Sequence, residues 1–460
     1  MDGKRQIERV KSAVLPVAGA LVLGLAALLF LSAIRASLFS DTGHETRIWF
    51  EITFLLLLAV LAELLVFYLR QPVVMVLLLV GVLIAPGTIN LTWPVIAGII
   101  NALLSAVSNW NIPTQVPNLV PLEGTVMVFA KLGSIILLFQ IGLHSEIQKI
   151  FNGKNFVVAI LGVVLPFAAG FAYASWTGGG FAYALFLGAA LTATSVGVTV
   201  AVLQEFGVMN KDYAQIILGA AVIDDILALL ALSFVKNVPT ALTPEALTPL
   251  AMVLATAAVF VIGGIKLGQF IVHRYFYRYT DETFSKKTFL LAMAFLLMYA
   301  YVAEVVGLSA IVGAFIAGIT LNYSPVIRKI NELMAPLEML FTPIFFISLG
   351  MFVDVESIPG EIVPILVISV IAVLAKVVGC GGAALLGGAG RKDALIVGLG
   401  MVPRGEIALI IGLYGLTAMV NGEPAITAAE YTIISAMAFI TTIIVPPILQ
   451  KMITVKASAA

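Results

Sequence analysis

The sequence is poor in the residues that build metal sites, disulfides and charged surfaces. Its 460 residues include one cysteine, Cys380, and three histidines. A single cysteine excludes an internal disulfide and a thiolate metal cluster, and histidines near predicted helix ends do not favour a buried metal site. Charged residues make up 11% of the chain, and 25 basic residues balance 25 acidic ones. This balance indicates neither a nucleic acid nor an acidic partner, and we expect no cofactor, no resident metal and no enzymatic activity.

Apolar residues are abundant in this chain, whereas charged residues are few. They make up 61% of the chain, which is more than a water-exposed domain can bury and indicates a polytopic membrane protein. Runs of spanning length predict an all-α fold with about fourteen transmembrane helices. The predicted spans cover residues 12–36, 48–70, 73–85, 125–143, 155–176, 180–206, 212–236, 247–273, 288–304, 308–321, 334–353, 362–386, 392–416 and 427–452.

The distribution of basic residues between loops predicts the orientation. One set of loops has about eighteen lysines and arginines, whereas the alternate set has only three, Arg35, Arg47 and Lys236. The positive-inside rule places the basic set in the cytoplasm, so both termini are predicted to be cytoplasmic. Residues 90–123 are then external and include a semi-apolar segment, which we interpret as an interfacial helix. The first span has a second interpretation, as a signal peptide.

Two blocks of six spans form a predicted inverted repeat. They cover residues 48–236 and 288–452, and the single span between them makes the second block enter the membrane from the opposite side. The fifth span of each block is interrupted near its middle, by TATSVG at 192–197 and by PRGE at 403–406. Proline and glycine weaken a helix, and threonine and serine supply oxygens to the freed backbone groups. We therefore expect two discontinuous crossing helices whose half-helix ends bind ions.

Ionisable residues at the same depth mark a candidate site. Asp224 and Asp225 lie in the middle of one apolar span, and Lys376 lies in the middle of another. Carboxylates at that depth cost about 2.5–3.5 kcal/mol each on insertion scales. Adjacent helical residues point about 100° apart, so one carboxyl can pair with Lys376 while the other faces a solvated cavity. Nearby oxygens that could complete the shell of a small hard cation belong to Thr192, Thr194 and Ser195.

This arrangement predicts a function. A buried carboxyl in a solvated cavity can hold either a proton or a cation, because burial favours its neutral form and a bound cation compensates its charge. If that carboxyl is exposed to the two faces of the membrane in turn, the competition between the proton and the cation for it produces antiport. A channel and an intramembrane aspartyl protease are the alternatives. The internal repeat favours alternating access over a channel, and neighbours on one helix diverge too far to share a catalytic proton.

Structural roles are the alternative for each of these residues. The aspartates could anchor neighbouring helices, Lys376 could be a fixed salt-bridge partner, and the small residues at 192–197 could form a packing seam. We interpret Arg404 and Glu406 as a fixed charge network that stabilises the second break rather than as ligands.

Ordered motifs along the chain resemble a known transporter family. They are ALTATSVGVTVAVLQEFG from Ala190, GAAVIDDIL from Gly219, GAFIAGI from Gly313, FTPIFFISLGMFVD from Phe341, AKVVG from Ala375 and GMVPRGEIALI from Gly400. In this order they resemble monovalent cation:proton antiporter family 2, in particular its NapA-type Na⁺/H⁺ antiporters.

The resemblance implies a fold, a site and a mechanism. It implies a NhaA/NapA-like fold, in the inner membrane of a prokaryote, in which a core domain moves like an elevator against a homodimeric scaffold. Asp225 would bind the cation or the proton, and Asp224 would pair with Lys376. Such a trio resembles that of electrogenic members, so we predict about two protons per cation. The expected substrates are H⁺ and Na⁺, with Li⁺ or K⁺ as alternatives, and the expected role is pH homeostasis. A Kef-like K⁺/H⁺ antiporter without a regulatory domain is the second interpretation.

The resemblance also implies a division into domains. Residues 1–40 would form an extra N-terminal helix, and residues 237–287 would form a linker helix. The scaffold would consist of 41–154 and 288–353, and the core would consist of 155–236 and 354–460.

Overall fold

The computed structural model describes most of the chain. The described residues are 44–69, 71–105, 125–145, 152–237, 244–276, 286–306, 308–353, 355–356, 358–420 and 423–457. The first predicted span, at 12–36, and residues 106–123 of the predicted external insertion lie outside them.

Helices make up nearly all of the secondary structure in these ranges. They are α1 (His44–Leu69), α2 (Val73–Leu83), α3 (Pro86–Ser105), α4 (Thr125–Leu143), α5 (Gly153–Trp176), α6 (Phe181–Thr192), α7 (Val196–Glu205), α8 (Asp212–Asn237), α9 (Pro244–Ile271), α10 (Lys286–Val305), α11 (Ala310–Leu321), α12 (Ile327–Met351), α13 (Ile362–Lys376), α14 (Gly382–Leu386), α15 (Arg391–Gly400), α16 (Glu406–Thr417) and α17 (Ala428–Ala457).

Short irregular pieces extend or join some of these helices. The π-helical turn Val272–Phe276 extends α9, and a second π-helical turn, Val377–Gly381, joins α13 to α14. A 3-10 turn, Ile358–Glu361, precedes α13. Two short strands, β1 (Met419–Val420) and β2 (Glu423–Pro424), pair in antiparallel orientation between α16 and α17.

Many of these helices are candidates for membrane spans. Within the described ranges, eight helical segments are long and apolar enough to cross a membrane, and a ninth arises if α2 and α3 count as one span bent by 60°. The bend falls where Pro86 begins α3, a first-turn position that suits proline. The described part of the segment that we interpreted as an interfacial helix, residues 93–105, belongs to α3. The chain is therefore a polytopic helical membrane protein, whereas the count of fourteen spans stays a prediction.

Contacts divide the chain into two units. The first consists of Met1–Lys131 and Pro343–Glu356, and the second consists of Leu132–Thr342 and Ser357–Ala460. The division into scaffold and core that the resemblance implies stays a prediction.

Within the first unit, Gly81 of α2 and Gly350 of α12 approach each other. A Cβ atom on Gly81 would overlap the carbonyl oxygen of Ile347, and one on Gly350 would overlap that of Leu78. The two backbones therefore touch without an intervening side chain, as small residues permit in membrane helix pairs.

Within the second unit, Gly142 of α4 and Gly318 of α11 make the same kind of contact. A Cβ atom on Gly142 would overlap the carbonyl oxygen of Phe315, and one on Gly318 would overlap that of Phe139. Each glycine of both pairs thus faces the carbonyl three residues before its partner glycine.

The second unit also contains both interrupted spans. Helix α6 ends at Thr192 and α7 begins at Val196, so residues 193–195 leave the helix, with Ala193 and Ser195 in extended conformations. Helix α15 ends at Gly400 and α16 begins at Glu406. The breaks lie at the two sequences, TATSVG and PRGE, that predicted them.

We predict that Gly318→Ala destabilises the protein, because its new methyl group would overlap backbone that cannot move aside. Overpacking of this kind costs about 1–3 kcal/mol, and thermal unfolding in detergent would measure it. The matched control is Gly263→Ala in α9, where a Cβ atom meets nothing within 4 Å and alanine favours the helix by roughly 0.5–1 kcal/mol. Equal melting temperatures for the two variants would contradict the backbone contact.

Candidate functional site

Helix α8 presents two adjacent carboxyl groups to the interior of the second unit. Asp224 is 0% exposed and Asp225 is 6% exposed. The helix packs against α5, α6, α7 and α15, so it contacts both halves of the first broken span and one half of the second. Because the two side chains diverge by about 100°, they face different surroundings.

Asp224 forms a fully buried ion pair with Lys376. The Nζ atom of Lys376 lies 3.0 Å from Oδ1 of Asp224, and both side chains are 0% exposed. Taking two charges out of water costs free energy that only a close partner offsets. The pairing therefore accounts for the presence of two charged groups at this depth.

The neighbourhood of the pair consists of small groups. A Cβ atom on Gly162 of α5 would lie 3.6 Å from Lys376 Nζ and 4.0 Å from Asp224 Oδ1, and it would overlap Sγ of Cys380. The ion pair thus packs against the bare backbone of α5. Lys376 is also the last α-helical residue before the π-helical turn, a rare feature that is frequent at functional sites.

One oxygen of the pair is left unsatisfied. Within the described residues, Oδ2 of Asp224 is buried and accepts no hydrogen bond. An ionised carboxylate can accept bonds at both oxygens, and an unsatisfied buried acceptor costs about 1–3 kcal/mol. This oxygen is therefore a position at which a water molecule or a proton lowers the free energy of the site.

The two helix breaks satisfy each other's backbone groups. The backbone N–H of Ser195 donates to the carbonyl of Pro403, 2.7 Å away. The hydroxyl of Thr194 donates to the carbonyl of Met401 at 3.2 Å, and that of Thr199 donates to the carbonyl of Gly400 at 2.6 Å. Broken helices are stable at membrane depth only when such freed groups find partners, so each break depends on the other.

Arg404 joins the second break to the first. Its side chain is 1% exposed, and Nη1 donates to the carbonyl of Ala193 at 2.7 Å. That carbonyl follows the last residue of α6, where the helix dipole is negative. The hydroxyl of Thr442 in α17 donates in turn to the carbonyl of Arg404. The side chain of Glu406, the other residue of the predicted charge network, lies outside the described part of the structure.

The three predicted ligand residues lie at or next to the first break. Thr192 is fully buried, and its hydroxyl donates to the carbonyl of Ala189 at 2.7 Å. The hydroxyl of Thr194 donates its proton to the carbonyl of Met401, as described above. Ser195 is half-buried. A hydroxyl that donates its proton keeps two lone pairs, so both threonine oxygens can still act as acceptors.

The sequence did not single out several residues that build this site. They are Gly162, Cys380, Thr199 and Thr442, whose contacts are described above. Each acts through a long-range contact in an apolar helix, where glycine and threonine are common packing residues. In the described residues, no group of three or more histidines, cysteines or acidic residues could hold a resident metal.

Comparisons with known proteins agree on one family. The profile of the sodium/hydrogen exchanger transmembrane family matches residues 54–452. The chain is 32% identical to the Na⁺/H⁺–K⁺ antiporter GerN of Bacillus cereus, covering 88% of this chain and 96% of that one. It is 33% identical to the high-affinity Na⁺/H⁺ antiporter NhaS3 of Synechocystis, covering 71% of each.

A solved structure shows the same fold at low sequence identity. It is the sodium proton antiporter MjNhaP1 of Methanocaldococcus jannaschii, which aligns with a TM-score of 0.59 and 18% identity. The alignment covers 88% of this chain and 96% of that one.

We predict that Lys376→Met is strongly destabilising, because it leaves the Asp224 carboxylate buried without a counter-charge. The expected loss is about 3–5 kcal/mol, measured by thermal unfolding in detergent. The double variant Asp224→Asn/Lys376→Met removes both charges and should recover most of that stability. Lys329→Met is the control, since Lys329 pairs with Glu332 at an exposed site and such pairs are worth about 0–1 kcal/mol. A double variant as unstable as the single one would contradict this account.

Proposed function

Because the chain belongs to the sodium/hydrogen exchanger family, we propose that it is a secondary antiporter that exchanges Na⁺ for H⁺ across the cytoplasmic membrane. It is a transporter and not an enzyme. Li⁺ and K⁺ are the alternative cations, and the printed name of GerN includes K⁺ beside Na⁺. A K⁺/H⁺ antiporter is therefore the second candidate.

The ion pair supports the choice of one carboxyl over the other as the carrier. Lys376 engages Asp224 at 3.0 Å in a fully buried position, so Asp224 already has its counter-charge. Asp225 points about 100° away and is the more exposed of the two, at 6%. Asp225 is therefore the proposed carrier, which binds either the cation or the proton. The 3.0 Å pairing is the single observation on which this assignment depends.

Oxygens at the first break complete the proposed cation shell. Thr192, Thr194 and Ser195 lie on or between α6 and α7, and both helices pack against α8, which bears Asp225. Small hard cations prefer oxygen ligands, and the threonine oxygens retain lone pairs. Arg404 donates a hydrogen bond to the carbonyl just after the C-terminal end of α6. Its positive charge compensates the negative end of the helix dipole there, so this end does not attract a second cation.

The glycine contacts support the proposed inverted repeat. Gly81 lies in the second span of the first block and touches Gly350 in the third span of the second block. Gly142 lies in the third span of the first block and touches Gly318 in the second span of the second block. In the order of the spans the two contacts correspond, because exchanging the two blocks turns the span pair of one contact into that of the other. The mutual hydrogen bonds of the two breaks, which join the fifth spans of the two blocks, support crossing helices.

The proposed mechanism of alternating access is the elevator movement that the family resemblance implies. We propose that the core, 155–236 and 354–460, moves like an elevator against a homodimeric scaffold, 41–154 and 288–353, with both termini in the cytoplasm. The cation and the proton exclude each other at Asp225, so each crossing of the membrane exchanges one for the other. Release of a second proton by the Asp224–Lys376 pair would make the exchange electrogenic.

We predict that Asp225→Asn abolishes exchange, because an amide neither releases a proton nor neutralises a cation. The measurement is the change of luminal pH in proteoliposomes on addition of Na⁺, Li⁺ or K⁺ across a broad pH range. The control is Glu332→Gln, the same carboxyl-to-amide change at an exposed position on α12, which should exchange normally. Normal exchange by Asp225→Asn would remove Asp225 as the carrier.

A separate prediction concerns the charge that moves in each cycle. Exchange by the natural protein should respond to a clamped membrane potential, because more protons than cations move. The double variant Asp224→Asn/Lys376→Met should still exchange, but its rate should not depend on the potential, since its pair has no proton to release. Flux at two clamped potentials tests both statements, and a natural protein insensitive to potential would show that the pair keeps its proton.

A further inference from the structure

A cavity with several polar and charged side chains on its walls opens between helix ends on the basic side of the second unit. Its volume is about 430 Å³, and its walls come from the ends of α5, α8, α14 and α15. We call it the vestibule. The half-buried or exposed residues Ala389 and Lys154 lie on its walls together with the buried residues Val158 and Ala384, so the cavity leads from the surface into the helix packing.

We propose that the vestibule admits protons to the Asp224–Lys376 pair, by a route separate from that of the cation to Asp225. This inference extends the proposed function, in which the pair releases the second proton. The basic side, which bears Lys154, Lys211, Arg391 and Lys392, is the cytoplasmic side in the proposed orientation.

About one helical turn separates residues on the vestibule wall from residues near the ion pair. Val158 of α5 lines the cavity, and Gly162 lies one turn deeper on the same helix. Ala384 lines it from the other side, and Cys380 lies one turn deeper on that segment. One helical turn advances about 5–6 Å. Gly162 packs against Sγ of Cys380 and lies beside Lys376 Nζ and Asp224 Oδ1. We call the contact between Gly162 and Cys380 the seal.

Two unsatisfied acceptors lie along this path. On the vestibule side, Gln215 is 8% exposed and donates Nε2 to the carbonyl of Met209 at 2.8 Å. Its Oε1 has no hydrogen-bond partner among the described residues, and neither has Oδ2 of Asp224 beyond the seal. Water molecules commonly satisfy such buried acceptors where the cavity is polar and roomy. Water that enters the vestibule therefore has a partner at Gln215 and a further one at Asp224.

The chemistry requires only proton transfer. A hydrated proton in the vestibule donates H⁺ to Oδ2 of Asp224, and the water that remains exchanges with bulk. After the core has moved, the pair releases this proton on the other side of the membrane, as the electrogenic exchange requires. The seal residue Cys380 lies within the π-helical turn Val377–Gly381, the irregular part of its span, which is where a local shift would open the seal.

The vestibule can be blocked without touching either carboxyl group. Ala389→Cys places a thiol on its wall, and a bulky, water-soluble maleimide applied to inside-out vesicles then fills it from the cytoplasmic side. Gly390→Cys is the second variant, since a Cβ atom there meets only Asp393 Oδ2 at 3.9 Å. The controls are the natural chain, whose one cysteine is fully buried, and Arg328→Cys, on an exposed part of α12 outside the vestibule.

Two fluxes separate the possible results. Labelled Ala389→Cys should still exchange Na⁺ for H⁺ through Asp225, but its rate should no longer depend on a clamped membrane potential, as in the double variant Asp224→Asn/Lys376→Met. Exchange of radioactive Na⁺ for Na⁺, which needs no proton, should persist, and the controls should keep both fluxes and the response to potential. Loss of both fluxes would make the vestibule part of the cation route, and an unchanged response to potential would make it irrelevant to protons, so each result overturns the proposal. Absence of both fluxes before labelling would instead refute the proposed antiport function.

Discussion

A charged group inside the membrane needs a counter-charge or hydrogen-bond partners within reach, and the rest of this site follows from that constraint. Asp224 and Lys376 meet this requirement for each other at 3.0 Å with no exposure to solvent. Their pairing fixes the relative position of α8 and α13, and it leaves the neighbouring carboxyl of Asp225 on a different face of α8. The site thus has one fixed charge pair and, on the same helix turn, a second carboxyl that faces other surroundings.

The backbone imposes a second requirement at the same depth. Two helices that stop inside the membrane free N–H and C=O groups that lipid cannot satisfy. Here Ser195, Thr194 and Thr199 bond to carbonyls of the second break, and Arg404 bonds to a carbonyl of the first. Neither break could persist alone, which explains why polar and helix-breaking residues appear in both halves of the chain.

Much of this arrangement was predictable from the sequence because it depends on local signals. The span at 125–143 coincides with α4, and the breaks fall at TATSVG and PRGE, since apolar length and helix-breaking residues act over short distances. Lys376 could be matched to the aspartates because few cations lie in the middle of spans. The role of Gly162 was not predictable, since nothing near it in a chain of 40 glycines shows that a lysine from α13 will lie against it. The roles of Thr199 and Thr442 could not be predicted for the same reason, because their hydrogen-bond partners are distant in sequence.

The paired glycines of α2 with α12 and of α4 with α11 have a mechanical consequence. A side chain can change rotamer and let two helices slide, whereas peptide groups in direct contact have no such freedom. The two helices of each pair are therefore expected to move together as one rigid body. Any sliding between helices therefore has to take place at interfaces formed by side chains, whose rotamers can change, and not at these contacts between peptide groups.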